Sequence, residues 1–187
     1  MSTWSKAKEA TWPIWPVTCY NRMERRLFII RHAKSSWDYE GLADIHRPLA
    51  ERGIRNATTM AERLKERKLV PQLLLTSPAN RALNTALIMS RIWGLPPEAV
   101  QIREEIYEAS FRDIDAVLET LPAEETDVAI FGHNPTFTLY ANRFLDPPLD
   151  NLPTAGVVVV TLDTDGWDDL ASSRITETYV DTPKRKI

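Results

Sequence analysis

The stretch Leu27-Phe28-Ile29-Ile30-Arg31-His32-Ala33-Lys34-Ser35-Ser36 joins an apolar run directly to a cluster of cationic and hydroxyl side chains. Four apolar residues in succession, with arginines on both sides, predict a strand that is buried on both faces. Such strands occur mainly in parallel sheets covered by helices, where ligands bind at the carboxyl ends of the strands. The stretch therefore places an imidazole beside fixed cations at a ligand-binding edge, which indicates chemistry on an anion such as phosphate.

The chain from Leu27 onward alternates between helical and strand patterns. Apolar residues at helical spacing predict helices over about 49–68, 78–93, 111–121 and 135–145. Short apolar runs and one alternating segment predict strands over about 72–76, 100–103, 127–131, 156–162 and 173–180. Ser77 and Pro78 are suited to the N-cap and first position of the second helix. The alternation predicts an α/β fold, a three-layer α/β/α sandwich with a largely parallel central sheet.

The composition is that of one ordinary domain: 187 residues, 43% of them hydrophobic, with a net charge of −3. The negative balance argues against a general binder of nucleic acid or of anionic membranes, because both require net positive charge. Cys19 is the single cysteine, so no intrachain disulfide is possible, and we expect a cytoplasmic protein. No apolar run approaches the roughly 18–20 residues of a membrane span.

Residues 1–22 differ from the rest of the chain, since they carry three tryptophans without a helical or strand period. We expect either a poorly ordered N-terminal extension or an arm that buries these tryptophans. Residues 23–187 then form a single domain. Because that domain begins at Met23, we hypothesise that Met23 is an alternative start, which N-terminal mass spectrometry of the native protein would test. The sequence predicts no oligomeric state.

Three of the predicted buried strands end in polar groups of similar character. The first ends in Arg31-His32, the second in Thr76-Ser77 with Arg81 one turn further, and the third in Gly132-His133-Asn134 before Pro135. If these strands are neighbours, two imidazoles, at least two guanidiniums and a helix N-terminus surround one point. Guanidinium forks fit phosphate oxygens, and helix N-termini add N–H donors.

This set of groups is suited to phosphoryl transfer. One histidine would attack phosphorus and hold the phosphoryl group covalently, while the cations stabilise charge on the equatorial oxygens. A carboxylic acid would protonate the leaving group and later activate water. The nucleophile must be neutral, and nearby Arg31 and Arg81 would favour the neutral form of His32 by repelling a second positive charge.

With these motifs the chain resembles the histidine phosphatase superfamily, whose signature is Arg-His-Gly after the first strand, and more narrowly the SixA-type phosphohistidine phosphatases. The matching pieces, in order, are Leu27 to Trp37, Arg47-Pro48-Leu49 with Gly53, Thr76-Ser77-Pro78 with Arg81 and Thr85, and Gly132-His133-Asn134-Pro135. The resemblance implies the phosphoglycerate mutase-like fold. It also implies a metal-independent phosphatase without a cofactor that works through a covalent phosphohistidine.

The resemblance also implies the roles of individual residues. It makes His32 the nucleophile, with Arg31, Arg81 and His133 completing the phosphate pocket. Arg47 matches a further basic position near that pocket. Lys34 and Ser35 either contact the phosphate or shape the loop. One departure is that Ala33 replaces the glycine of the signature.

The general acid is the least determined part of the site. Superfamily members usually place an acidic residue after the third strand, where Glu105 stands, and Glu104 and Glu108 compete with it. A phosphohistidine substrate has a nitrogen leaving group that can already carry a proton, so an enzyme of this type can also work without a strong acid. The third histidine, His46, is expected to be structural or exposed, and no zinc-binding spacing is present.

We expect the substrate to be a phosphohistidine-bearing protein or a small phosphorylated compound. The segment between Arg103 and Ala123 is too short for a lid over the pocket, and an open pocket suits a side chain presented on a protein surface. The alternatives are a housekeeping phosphomonoesterase for sugar or nucleotide phosphates and a non-catalytic phosphate-binding module. A phosphoglycerate mutase would need a closed pocket.

Overall fold

A computed structural model of the protein describes residues 24–168, 170 and 172–185. The predicted N-terminal extension of residues 1–22, and Met23, lie outside these residues.

One mixed sheet of six strands forms the centre of the fold, in the order β3-β2-β4-β1-β5-β6. The strands are β1 (Glu24–Arg31), β2 (Leu73–Thr76), β3 (Val100–Ile102), β4 (Asp127–Gly132), β5 (Val157–Asp163) and β6 (Arg174–Asp181). The first four in this numbering are mutually parallel, whereas β5 runs antiparallel to β1 and β6 antiparallel to β5. The largely parallel sheet predicted from the sequence is confirmed.

Helices cover both faces of the sheet. They are α1 (Glu51–Glu66), α2 (Asn80–Trp93), α3 (Phe111–Glu119) and α4 (Thr136–Ala141), with short 3₁₀ segments at Asp44–His46, Pro97–Ala99 and Glu104–Ile106. One apolar layer lies between the sheet and α1 and α2, and the other between the sheet and α3 and α4. The three-layer α/β/α sandwich is therefore confirmed.

The apolar run of β1 serves both layers at once. Leu27 and Ile29 pack into the layer with α3 and α4, while Phe28 and Ile30 pack into the layer with α1 and α2. All four side chains are fully buried. Alternate residues of a strand point to opposite faces, so a central strand covered on both sides needs four apolar residues in succession.

The helix boundaries lie within four residues of the predicted ones, and the differences at α4 and α2 are the informative ones. The helix predicted to reach residue 145 ends at Ala141, because the Asn142 side chain bonds the backbone N–H and C=O of Leu149, at 2.8 Å each. A side-chain amide that satisfies backbone groups in this way favours a turn over a continued helix. Helix α2 begins at Asn80 after Ala79, so Ser77 is not its N-cap.

The strand order brings the three polar strand ends together. β4 lies between β1 and β2, with Arg31 opposite Gly132 and Thr76 opposite Phe131. The carboxyl ends of parallel neighbours lie at the same edge of a sheet, so His32, Ser77 and His133 share one edge. The predicted convergence of these residues is confirmed.

Candidate active site

The imidazole of His32 is held in one orientation by the loop that follows β1. Its backbone N–H donates to the Gly132 carbonyl at 3.0 Å, and its ring Nδ1 lies 2.7 Å from the Ala33 carbonyl oxygen. A carbonyl oxygen only accepts, so Nδ1 must carry the hydrogen, and the neutral ring keeps its lone pair on Nε2. The ring lines a cavity of about 220 Å³ with Arg31, Lys34, Ser35 and Arg47.

Two contacts hold this loop in place from the helical layer. The Thr85 hydroxyl of α2 accepts from the Ala33 N–H at 3.0 Å and donates to the Arg81 carbonyl at 2.6 Å. On the α1 side, the Ala50 N–H donates to the Lys34 carbonyl at 2.8 Å. A Cβ atom on Gly53 would lie 2.1 Å from that same oxygen, so α1 approaches the loop as closely as a residue without a side chain permits.

The departure at Ala33 has a structural explanation. The Ala33 side chain is fully buried and packs in the apolar layer beneath α1 and α2. A methyl group at this point therefore extends the core, and it leaves the polar side of the loop unchanged.

His133 follows β4 and faces His32 across the pocket, with the ring centroids 5.1 Å apart. Its Nε2 lies 2.8 Å from the Ser77 hydroxyl, which explains why Ser77 serves the site and does not cap α2. Its Nδ1 is buried without a hydrogen-bond partner in the described part of the chain. This nitrogen is available to a phosphate oxygen.

Arg81 and Arg47 are both almost fully buried, and Asp44 links them. The two terminal nitrogens of Arg81 donate to the Asp44 backbone oxygen at 2.6 Å and to its Oδ2 at 2.8 Å. Arg47 donates to Asp44 Oδ1 at 3.0 Å, to the Ser35 hydroxyl at 2.8 Å and to the Ser36 carbonyl at 3.2 Å. Sequence reasoning missed Asp44, although its position three residues before Arg47 was a readable signal for that ion pair.

Arg31 completes the cationic side of the pocket. Its Nη1 donates to the Leu152 carbonyl at 2.7 Å, which fixes the guanidinium against the segment before β5. Asn134 donates to the same carbonyl at 3.1 Å. Lys34 and Ser35 also line this cavity, and Ser35 does so while bound to Arg47. The structure thus brings together His32, His133 and all the basic residues predicted for the site.

Both imidazoles of the site are neutral at neutral pH. Burial, followed by the charges of Arg81, Arg31 and Arg47, lowers the pKa of His32 to about 4, against a raising effect of the Ala33 carbonyl. Burial and the neighbouring His32 and Arg81 lower the pKa of His133 to about 3. The arginines therefore contribute as expected, but desolvation is the larger cause in both cases.

The structure does not bring Glu105 to this pocket. In the 3₁₀ segment Glu104–Ile106 the Ile106 side chain is buried in the core, and Glu105 lines a separate cavity with Arg103 and Val117. Of the three competing acids, Glu108 lies beside His133, in a second cavity of about 340 Å³ that also contains Asp44 and Tyr107.

The third histidine of the chain lies outside the pocket. His46 is exposed, as expected. Among residues 24–168, 170 and 172–185, no group of three His, Cys, Asp or Glu residues is arranged to hold a metal ion. Within the same ranges, no helix combines the length and the apolar character needed to cross a membrane.

Residues 27–117 match the model of the histidine phosphatase superfamily, branch 1. The chain belongs to the histidine phosphatase superfamily. It is 43% identical over 63 residues to an uncharacterized chloroplastic protein of Arabidopsis thaliana, covering 34% of this chain and 29% of that protein. It is 35% identical over 79 residues to a 2,3-bisphosphoglycerate-dependent phosphoglycerate mutase of Bifidobacterium longum, covering 38% of this chain and 31% of the mutase. The matched segment thus spans about three tenths of these curated relatives.

A solved structure matches a larger part of this histidine phosphatase superfamily member than the curated relatives do. The crystal structure of the putative phosphohistidine phosphatase SixA from Agrobacterium tumefaciens superposes with a TM-score of 0.67 at 25% sequence identity. The match covers 83% of this chain and 97% of the SixA chain. The fold is therefore shared along nearly the whole length of that SixA chain.

Proposed function

We propose that this protein is a metal-independent phosphatase that forms a covalent phosphohistidine at His32, and that its substrate is phosphohistidine on a protein. The observation that carries the proposal is the fixed tautomer of His32. Its Nδ1 is bound to the Ala33 carbonyl, so the lone pair stands on Nε2 in a cavity lined by Arg31, Arg47, Arg81 and His133. That is the arrangement a nitrogen nucleophile for phosphorus requires.

In the first step, Nε2 of His32 attacks phosphorus and the bond from phosphorus to the leaving group breaks. Charge remains on the three equatorial oxygens, where Arg31, Arg81 and the unpartnered Nδ1 of His133 are the available donors. The phosphorylated imidazole becomes cationic, and the Ala33 carbonyl that accepts from Nδ1 stabilises this charge. In the second step water attacks the phosphohistidine and inorganic phosphate leaves.

The fate of the leaving group favours phosphohistidine over a phosphate ester. An alkoxide must be protonated as it leaves, and Glu105, the acid predicted for this role, is not at the site; the carboxyl groups that line the cavity beside His133 are those of Asp44 and Glu108. Asp44 is partly desolvated, which raises its pKa, but the hydrogen bonds and charges of Arg47 and Arg81 outweigh this and lower it, so Asp44 is a carboxylate at neutral pH. An imidazole that leaves a phosphoramidate can carry its own proton, so its departure does not depend on a proton from Glu108.

The open shape of the site favours a protein substrate. Between β3 and α3 the chain forms only a short 3₁₀ segment, so this connection supplies no lid over the cavities. Trp37 lines the cavity of His32 and is 72% exposed, with the Arg47 guanidinium 3.2 Å from the centre of its ring. An exposed tryptophan held by a buried arginine at the mouth of a pocket is suited to contact with a partner surface.

The test is a panel of a phosphohistidine protein, sugar phosphates and nucleotides, assayed with wild type, His32→Asn and the control His46→Asn. We expect the highest kcat/KM on the phosphohistidine protein, no turnover by His32→Asn and full activity of His46→Asn. A higher kcat/KM on the small esters would favour a housekeeping phosphomonoesterase. Phosphate binding without turnover of any substrate would indicate a non-catalytic phosphate-binding module.

A further inference from the structure

Two cavities of the molecule meet at Arg81 and His133. The first holds His32 with Arg31, Lys34 and Arg47, and the second lies on the other side of His133. Both are lined by Arg81, His133 and Asn134. A phosphoryl group bound by the arginines of the first cavity would have its leaving group, placed roughly in line with the attacking nitrogen, directed toward the second.

The two cavities carry opposite charges. The first is lined by four cationic side chains, Arg31, Lys34, Arg47 and Arg81. The second shares Arg81, and its other charged side chains are the carboxylates Asp44 and Glu108. Asp44 is paired with Arg47 and Arg81, so once Arg81 is engaged with a phosphoryl group, Glu108 supplies most of the negative charge that a leaving group meets on this wall.

The backbone holds Glu108 in this position at a cost. Its φ is +53°, in the left-handed region that residues with side chains rarely adopt, and it is flanked by Tyr107 and Ala109, which also line the cavity. Tyr107 contacts the ring of His133 edge-on and donates to Asp44 Oδ2 over 3.4 Å. The turn therefore places Glu108 at the wall of the second cavity, close enough for its charge to act on Tyr107, the tyrosine that links Asp44 to His133.

We propose that the second cavity is the leaving-group subsite and that Glu108, together with Asp44, makes it select neutral or cationic leaving groups over anionic ones. This inference rests on the proposed function, since it assigns the substrate class of the same site. Specificity of this kind comes from repulsion: an anionic leaving group, such as a glycerate or a second phosphate, would be placed against two carboxylates. An imidazole or an amine would not be repelled.

The experiment uses three substrates with the same phosphorus–nitrogen bond and different charges. The substrates are the N-phosphorylated forms of histamine, 4-methylimidazole and imidazole-4-acetate. Their ring substituents are cationic, neutral and anionic, respectively. We expect the wild-type kcat/KM to be higher for N-phosphorylated histamine than for N-phosphorylated imidazole-4-acetate. Glu108→Lys should lower the ratio of kcat/KM for the cationic substrate to kcat/KM for the anionic substrate on the order of 10-fold, and Glu108→Gln should lower it about 3-fold.

The matched control is Glu105→Lys, which makes the same change in net charge in the separate cavity beside Arg103. It should leave the ratio within about twofold of wild type, because an exposed charge at a distance is screened. Equal ratios in wild type, Glu108→Lys and Glu105→Lys, or equal shifts in the two lysine variants, would overturn the charge selection and leave the phosphatase standing. A wild type that turns over none of the three compounds, nor a phosphohistidine protein, would overturn the proposed function itself.

Discussion

Gly53 is the residue whose replacement tests most sharply how the fold positions the nucleophile. It lies in the first turn of α1, and the Lys34 carbonyl occupies the place where a side chain would begin. In Gly53→Ala the new Cβ would lie 2.1 Å from that oxygen, whereas ordinary contact begins near 3.4 Å. The loop and the helix must therefore separate by about 1.3 Å.

The separation cannot be absorbed locally. The same Lys34 oxygen accepts the Ala50 N–H at 2.8 Å, so moving the carbonyl away from α1 breaks a backbone hydrogen bond. The neighbouring Ala33 carbonyl is the group that orients His32. A displacement of about 1 Å at a reacting group costs on the order of 10²-fold in rate, and we expect that loss in kcat/KM.

The free energy of unfolding should change much less than the activity. Overpacking costs about 1–3 kcal/mol, but alanine gains about 1 kcal/mol over glycine within a helix. We therefore expect a net destabilisation of about 1 kcal/mol in urea unfolding. The assay is kcat/KM on a phosphohistidine protein for Gly53→Ala and for Arg52→Ala, an exposed neighbour on the same helix. If Gly53→Ala keeps the kcat/KM of the wild type, the position of the loop does not control His32.

The remaining predictions concern the same site. Thr85→Val leaves the buried Ala33 N–H without its acceptor and should cost about 1–3 kcal/mol of stability, measured by urea unfolding. Its control is Thr58→Val, a helical threonine whose hydroxyl only bonds its own helix, and equal losses in both variants would contradict the prediction. Arg81→Ala should lower kcat about 10²–10³-fold, whereas Arg91→Ala on the exposed end of α2 should not, and an unchanged rate would place Arg81 outside the site. Acid should destabilise the protein: since the pKa of His32 is about 4 when folded and 6.5 ordinarily, the unfolded chain binds more protons between these values. Stability present above pH 6.5 is lost as the pH falls toward 4, by about 3 kcal/mol, and urea titrations of His32→Asn should lack that part of the slope.

The centre of the fold could be predicted from the sequence because its signals are local. The apolar run before Arg31 has to be buried on both faces, and this requires helices on both sides of a parallel strand. The polar strand ends then fall at one edge, where the structure has His32, Ser77 and His133. The buried strand and its helical cover follow from residue type and spacing alone, whereas the neighbouring positions of β1, β4 and β2 were an assumption that the strand order confirms.

The parts that the sequence did not predict depend on tertiary packing. Whether Glu105 or Glu108 reaches the pocket is decided by the burial of Ile106, which turns a three-residue segment in one direction. The bond from Arg81 to Asp44 joins residues 37 positions apart and exists because the segment Asp44–His46 packs beside α2. Such a contact cannot be predicted from the periodic patterns of the sequence.

The position of the covalent phosphoryl group shows directly whether His32 is the nucleophile. The protein is mixed with a phosphohistidine protein, quenched within milliseconds in alkaline detergent, because a phosphoramidate is hydrolysed in acid, and mapped by mass spectrometry of its peptides. We expect one phosphoryl group on His32, formed and lost at rates that match turnover and absent in His32→Asn. Turnover by the wild type with the phosphoryl group on His133, or with no phosphorylated protein and undiminished activity in His32→Asn, would contradict it.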